Sequence, residues 1–126
     1  MVRIVIDTDV FVNHLRGVKK ARTFLKKVET GKIEGFFSTI TEAELFSGRR
    51  VDSPSEQRKI GKLLGILKRV EVDSKIARKA GGIRRRYDVL LPDAIIAATA
   101  YYKKARIATK NIKHFEPIKE IKLETY

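Results

Sequence analysis

Residues 2–12 read Val2-Arg3-Ile4-Val5-Ile6-Asp7-Thr8-Asp9-Val10-Phe11-Val12. Four of the first five are β-branched and apolar. A short run that is apolar on both faces is what a strand in the middle of a parallel sheet requires. The run stops abruptly at Asp7-Thr8-Asp9. In open α/β sheets, ligands sit in the crevice at the carboxyl ends of the strands, so these acids fall where a ligand would be met. A carboxylate buried there costs free energy unless something compensates, and a metal ion is one common compensation. The plainer alternative is that Asp7 or Asp9 caps the helix that follows.

From this strand outward, helices and strands alternate. Residues 10–17 fit a short helix with Val10, Phe11 and Leu15 inward. Asn13 either reaches back toward the acids or is a surface amide. A second helix spans about 19–30, with Ala21, Phe24, Leu25 and Val28 at core spacing and Gly31 as its stop. Residues 33–38 read as the second strand, and a helix starts within 39–48. There Thr39…Glu42 and Thr41…Glu44 both match a capping box. Glu42 and Glu44 lie roughly 200° apart around a helix, so only one can face a given site. The packed neighbourhood of Leu45 and Gly48 favours Glu44.

Residues 49–55 read as a loop, and a helix beginning at Ser55 or Glu56 carries Ile60, Leu63, Leu64 and Leu67 on one stripe. Residues 70–72 form a third strand. The next helix, capped by Asp73 or Ser74, has a stripe of Ile76, Ala80, Ile83 and Tyr87. Gly81-Gly82 interrupts it at about 1 kcal/mol each, which suggests a kink or a close helix crossing. Pro92 suits the first turn of a helix that is apolar nearly all round, with Asp93 just behind it. As at Asp7, the acid either complements the helix dipole or needs a compensating cation. Residues 106–109 form a strand, 110–115 a loop or turn, and 118–123 a last edge strand. The order is that of α/β layering on a mostly parallel sheet. It brings Asp7, Glu44, Asp93 and Asn111 toward one edge of that sheet.

The chain of 126 residues suits a single domain, and 43% hydrophobic content is enough for a core. With no cysteine, disulfides, thiolate zinc sites and cysteine nucleophiles are excluded. No signal pattern or membrane-length apolar run is found, so a cytoplasmic protein away from any membrane is expected. The net charge is +13, and +9 of it lies between Arg49 and Arg86. Such an excess points to a polyanion such as RNA or, more blandly, to a lysine-rich proteome. Arg49, Arg50 and the run Arg84-Arg85-Arg86 are the candidate phosphate grips, although arginines at a helix C-terminus are also favourable in themselves. Carboxylates converging in a basic protein suit Mg²⁺ or Mn²⁺, and a hydrated ion so held can hydrolyse phosphodiesters.

Four segments in order resemble the PIN-domain ribonucleases, most closely the VapC toxins of toxin–antitoxin pairs. They are Ile6-Asp7-Thr8-Asp9-Val10-Phe11, Thr41 to Gly48 (TEAELFSG), Leu91 to Ala100 (LPDAIIAATA) and Ala108 to Phe115 (ATKNIKHF). The resemblance covers nearly the whole chain. It implies a PIN-like three-layer α/β/α fold over residues 1–126 and a Mg²⁺- or Mn²⁺-dependent endoribonuclease. It also implies a homodimer and a cognate antitoxin partner. On it, the metal-site acids are Asp7, Glu44 and Asp93, with Asn111 assisting and Thr8, Asp9, Asn13 and Thr109 in supporting places. Where many relatives carry a fourth acid, this chain has Asn111 and His114, so a second ion would rely on substrate phosphate or on Asp9. Two other readings compete. A haloacid-dehalogenase-like phosphatase would use Asp7 as nucleophile and Asp9 as acid/base, but the paired acids it needs later in the chain are missing. A non-enzymatic RNA-binding module explains the charge but not the acids.

Overall fold

Five strands form one sheet in the computed structural model, which describes residues 1–126. They are β1 (Arg3–Ile6), β2 (Glu34–Ser38), β3 (Lys68–Val70), β4 (Arg106–Ala108) and β5 (Leu123–Glu124). All pair in parallel, in the order β3-β2-β1-β4-β5. The opening strand is central, as its apolar run requires: Val5 lies opposite Phe36 on one side and Ile107 on the other. Ile4, Val5 and Ile6 are fully buried.

Seven helices cover the sheet: α1 (Thr8–Leu15), α2 (Lys19–Glu29), α3 (Thr39–Phe46), α4 (Pro54–Leu64), α5 (Ser74–Tyr87), α6 (Leu91–Lys103) and α7 (Ile112–Phe115). Side chains alternate across a strand, and β1 shows the consequence. Ile4 and Ile6 pack with Phe11 of α1, Phe24 and Leu25 of α2 and Leu63 of α4. Val5 packs on the other face with Ile83 of α5 and Ile96 and Ala97 of α6. Both faces are therefore covered, and the three-layer α/β/α arrangement stands.

From β1 the chain winds outward through β2 to β3, then returns by α5 and α6 to β4 on the far side of β1. The winding reverses between β1 and β4, which makes the crevice beyond their carboxyl ends the topological switch point.

Several boundaries differ from the sequence reading. The third strand is Lys68–Val70, not 70–72, because it continues the register Phe36↔Lys68 and Ser38↔Val70 at the sheet edge. Only Leu123–Glu124 pairs at the opposite edge, so most of 118–123 is irregular. α1 starts at Thr8 with Asp7 as its cap. Ser53 caps α4, with Pro54 in its first turn, and Arg49–Asp52 is a 3-10 turn rather than a loop. α5 runs unbroken through Gly81-Gly82, and a Cβ at Gly81 would meet nothing within 4 Å. No close crossing therefore explains that glycine. α6 is buried along Ala94 and Ile96–Ala100 but exposes Leu91, Tyr101 and Tyr102 at its ends.

The close approach is at Gly35 instead. A Cβ there would stand 2.7 Å from Val28 Cγ1 and 3.1 Å from Leu67 Cδ2. This glycine lets β2 lie against α2. Gly35→Ala is expected to destabilise the fold by about 1–3 kcal/mol through overpacking. Gly81→Ala, entering open space within a helix, should stabilise it by about 0.5–1 kcal/mol. Urea unfolding of the two variants checks the opposite signs.

Candidate active site

Asp7 leaves β1 at the switch point and is 4% exposed. Its backbone N–H still donates to Ala108 O of β4 at 3.0 Å, so the residue is fixed before its side chain is considered. Oδ1 caps α1 by accepting from Thr8 N at 2.9 Å. Oδ2 accepts from the Thr109 hydroxyl at 2.8 Å, across the β1–β4 crevice. The capping role anticipated as the plain alternative is therefore real, yet it does not discharge the cost of the charge. Burial, with Asp9 next and Asp93 further off, pushes the Asp7 carboxyl up to about 7, against the hydrogen bonds from Thr109 and Thr8.

Glu44 reaches the same place from α3. It is exposed, and its Oε1 accepts from the Thr8 hydroxyl at 2.6 Å. The buried Thr41 hydroxyl lies 3.0 Å from Thr8 Oγ1. With the single proton of Thr8 committed to Glu44, Thr41 donates to Thr8. Glu42 points elsewhere, in a two-pronged pair with Arg69 at 3.0 and 3.1 Å. Neither glutamate caps a helix. Ser38 caps α3 by accepting from Ile40 N, and the Thr39 hydroxyl accepts from Val72 N.

Asp93 enters from the first turn of α6, its side chain 14% exposed and its Oδ2 3.4 Å from His114 Nδ1. Burial raises its carboxyl above the ordinary range. His114 opposes that shift, while Glu44 and Asp9 add to it. Asp7 thus feels the charge of Asp9 and Asp93, and Asp93 that of Glu44 and Asp9, across different elements.

Asp9 is held more firmly than a supporting acid needs. Its Oδ2 accepts from Lys110 N at 2.8 Å, while Oδ1 is buried without a partner. Tyr126 closes this side, with its ring 5.0 Å from that of Phe24 and Lys110 Nζ over it at 4.1 Å. Its phenol is buried without a well-formed hydrogen bond. Burial first, then Asp9 and Asp7, push that phenol up to about 12, and the neighbouring Asn13 amide eases the shift. Asn111 contributes through its backbone, whose N–H donates to Thr109 Oγ1 at 2.9 Å. Its side chain is exposed, with no hydrogen bond to the acids.

The basic candidates divide. Arg49 and Arg50 are exposed on the 3-10 turn that follows the helix of Glu44. Arg84 donates to Val89 O at 3.1 Å, finishing α5, whereas Arg85 and Arg86 face solvent. His114 figures in the sequence only as a residue standing where many relatives carry a fourth acid, and Thr41, Lys110 and Tyr126 are not among the expected members of the site. Of these three, only Thr41 carries a signal, three residues before Glu44 on the same helix face.

The donors are hard oxygens, and Asp9 keeps one of them buried and unsatisfied, a set that fits a divalent cation of the Mg²⁺ class. Each acid at present takes a protein donor or neighbour, and no three acidic or histidine side chains close on a single point. Side-chain rotation would accompany metal binding.

A family profile described as PIN domain matches residues 4–120. Ribonuclease VapC10 of Mycobacterium tuberculosis is 35% identical over 125 residues, covering 94% of this chain and 90% of the relative. The crystal structure of VapBC2 from Rickettsia felis, bound to a DNA fragment from its promoter, has a similar fold. Its TM-score is 0.82 at 20% identity over 98% of both chains. A toxin-antitoxin complex from Klebsiella pneumoniae gives 0.79 at 24% identity over 94% of both.

Asp7 dictates a pH signature. An acid raised on folding stabilises the protein below its unfolded pKa of 3.8, and that stability is lost as pH rises through about 7. In chelated solution, Asp7→Asn should therefore be more stable than the parent at pH 8, by on the order of a few kcal/mol, with the difference vanishing near pH 4. Thermal melts at the two pH values check this.

Proposed function

The chain belongs to the PIN-domain family, and on that premise we propose that it is a Mg²⁺- or Mn²⁺-dependent endoribonuclease acting as the toxin of a toxin–antitoxin pair. The ribonuclease names of its relatives support the activity. One observation carries the reading: Asp7, Glu44 and Asp93, with Asp9 beside them, are crowded at the switch point of a chain whose net charge is +13. Such crowding, with burial, raises the proton affinity of Asp7 and Asp93, and a cation is the partner that relieves it while leaving them ionised.

Asp7, Glu44 and Asp93 would hold the ion. When bound, it supplies a Lewis acid that lowers the pKa of water and offsets charge on the phosphodiester. The chain's own residues prepare the acids. Thr109 orients Asp7, and Thr8 orients Glu44, itself steadied by Thr41. Outer hydrogen bonds of this kind set ligand direction. His114 stands beside Asp93, placed to hold or yield a proton at the edge of the site. Arg49 and Arg50, exposed on the turn after α3, and Arg85 and Arg86 after it in the chain offer charge to the RNA backbone. Asn111, whose side chain is exposed, would assist after turning inward.

A cognate antitoxin and a homodimer complete this reading, on the strength of the toxin–antitoxin assemblies that share the fold. No helix is long and apolar enough to cross a membrane. A chain without cysteine suits the reducing cytoplasm in which we place it. The phosphatase reading would need Asp9 free as acid/base, whereas its Oδ2 is engaged by Lys110 N.

Incubation with single-stranded RNA should give Mg²⁺- or Mn²⁺-dependent cleavage that chelation abolishes. Outer-sphere changes at metal sites cost 10–100-fold, so Asp93→Asn should cost at least about 100-fold and Thr8→Val roughly 10–100-fold. Cleavage that survives chelation or Asp93→Asn would defeat the mechanism. Expression of the chain alone should slow growth, and Asp7→Ala should relieve the effect.

A further inference from the structure

α6 ends in two adjacent aromatic residues that the core does not take. Tyr101 is 43% exposed and Tyr102 37%, although Ile96–Ala100 just before them are buried. The rings meet edge to face, with centroids 5.2 Å apart at 86°. Each carries a lysine from α5: Lys79 Nζ lies 4.1 Å from the Tyr101 centroid and Lys75 Nζ 4.8 Å from that of Tyr102. Exposed aromatics interleaved with cations form the pattern that binds single-stranded nucleic acid, where bases stack on rings and phosphates meet the charges.

The tyrosines are continuous with a basic concavity. A hollow of about 350 Å³ on α5 is lined by Arg78, Lys79, Arg85 and Arg86 around Gly82, with Glu120 as its one acid. Glu120 also lines the hollow of about 550 Å³ beside Tyr101 and Tyr102, and Lys79 bridges the two. Glu120 is already engaged by the Tyr87 hydroxyl and by Lys79 at 3.8 Å. Arg78, Arg85 and Arg86 pair with no acid. The helix dipole favours Arg85 and Arg86 in the last turn of α5, but Arg78 stands in mid-helix, and none of the three gains an ion pair from the fold. Gly82 likewise has no packing reason, since a Cβ there would meet only the Arg85 guanidinium at 3.8 Å. Its missing side chain keeps the floor of the hollow open.

We infer that this tyrosine–arginine surface is a second contact for RNA, a track for the single-stranded stretch flanking the scissile bond. Tyr101 follows Asp93 by eight residues on α6, about 12 Å along the axis, so one strand can span both. A second copy meeting this face across a two-fold axis would set Arg78, Arg85 and Arg86 against their own counterparts, so the proposed homodimer would use another surface. Duplex RNA keeps its bases stacked on one another and offers none to the tyrosines. The choice of RNA as the polyanion rests on the nuclease reading.

Fluorescence anisotropy with a labelled, unstructured 20-nucleotide RNA, on the Asp93→Asn chain with chelator, tests the track. Tyr101→Ala/Tyr102→Ala should weaken binding by roughly tenfold, within the range of one or two lost stacking contacts. Tyr101→Phe/Tyr102→Phe should bind as the parent does. Arg78→Glu/Arg85→Glu should weaken binding and flatten its salt dependence. The same RNA annealed to its complement should be indifferent to the tyrosines. Thermal melts of each variant confirm that it is folded. Binding by the alanine pair within about twofold of the parent, or equal losses for single strand and duplex, overturns the track. So does a poly-glutamate peptide that binds through Tyr101 and Tyr102 while RNA ignores them, an outcome that assigns the patch to an acidic protein. Cleavage by the chain with Asp93 intact is read in parallel. Absent cleavage with the tyrosine dependence intact overturns the nuclease reading alone, and normal cleavage with tyrosine-independent binding overturns the track alone.

Discussion

A carboxylate buried where two parallel strands diverge is the constraint on which this molecule depends. Asp7 is placed by the β1–β4 ladder, caps α1, and accepts a hydroxyl proton from beyond β4. Those contacts lower the cost of its charge without cancelling it, and the carboxyl stays raised to about 7. The rest of the site is arranged around that residual cost. Glu44, Asp93 and Asp9 add negative charge rather than relieving it, and no lysine or arginine forms an ion pair with any of the four. A fold optimised for stability alone would place a cationic side chain there. The strain makes sense if the missing positive charge arrives with a ligand.

The separation of charge has the same logic at larger scale. Acids gather at the switch point, while the basic excess stands outside, on the turn after α3 and along α5. On the proposed reading, a polyanion drawn by the outer field would be delivered to a place that repels it until a cation is bound. Positioning hydroxyls, rather than charged partners, hold the acids. Thr8 and Thr109 orient the carboxylates of Glu44 and Asp7 without neutralising them, which would leave that charge available to a cation.

Much of this was legible in the sequence, for physical reasons. A short run apolar on both faces can only be a central strand, so Asp7 had to lie at its carboxyl end. Asp93 was equally readable from Pro92 and the buried helix behind it. The edges were not. β3 and β5 are short and half-exposed, and their registers are set by neighbouring strands rather than by their own apolar pattern. Helical geometry allowed only one of Glu42 and Glu44 to face the site, and the packed neighbourhood of Leu45 and Gly48 favoured Glu44; the pairing of Glu42 with Arg69, 27 residues away, no local pattern encodes. Lys110 and Tyr126 join the site through contacts that no local spacing encodes, whereas His114 was legible only as a departure from the fourth acid of many relatives. Gly81-Gly82 looked like a packing device and is not one, because openness leaves the same mark in a sequence as close approach.

The central claim is that Asp7, Glu44 and Asp93 share one divalent cation. Anomalous scattering from crystals grown with Mn²⁺ addresses it most directly. The account requires a manganese peak bonded to carboxylate oxygens of all three residues, with Thr8 and Thr109 still holding Glu44 and Asp7. A peak held by other residues, or none among these acids at saturating Mn²⁺, would contradict it.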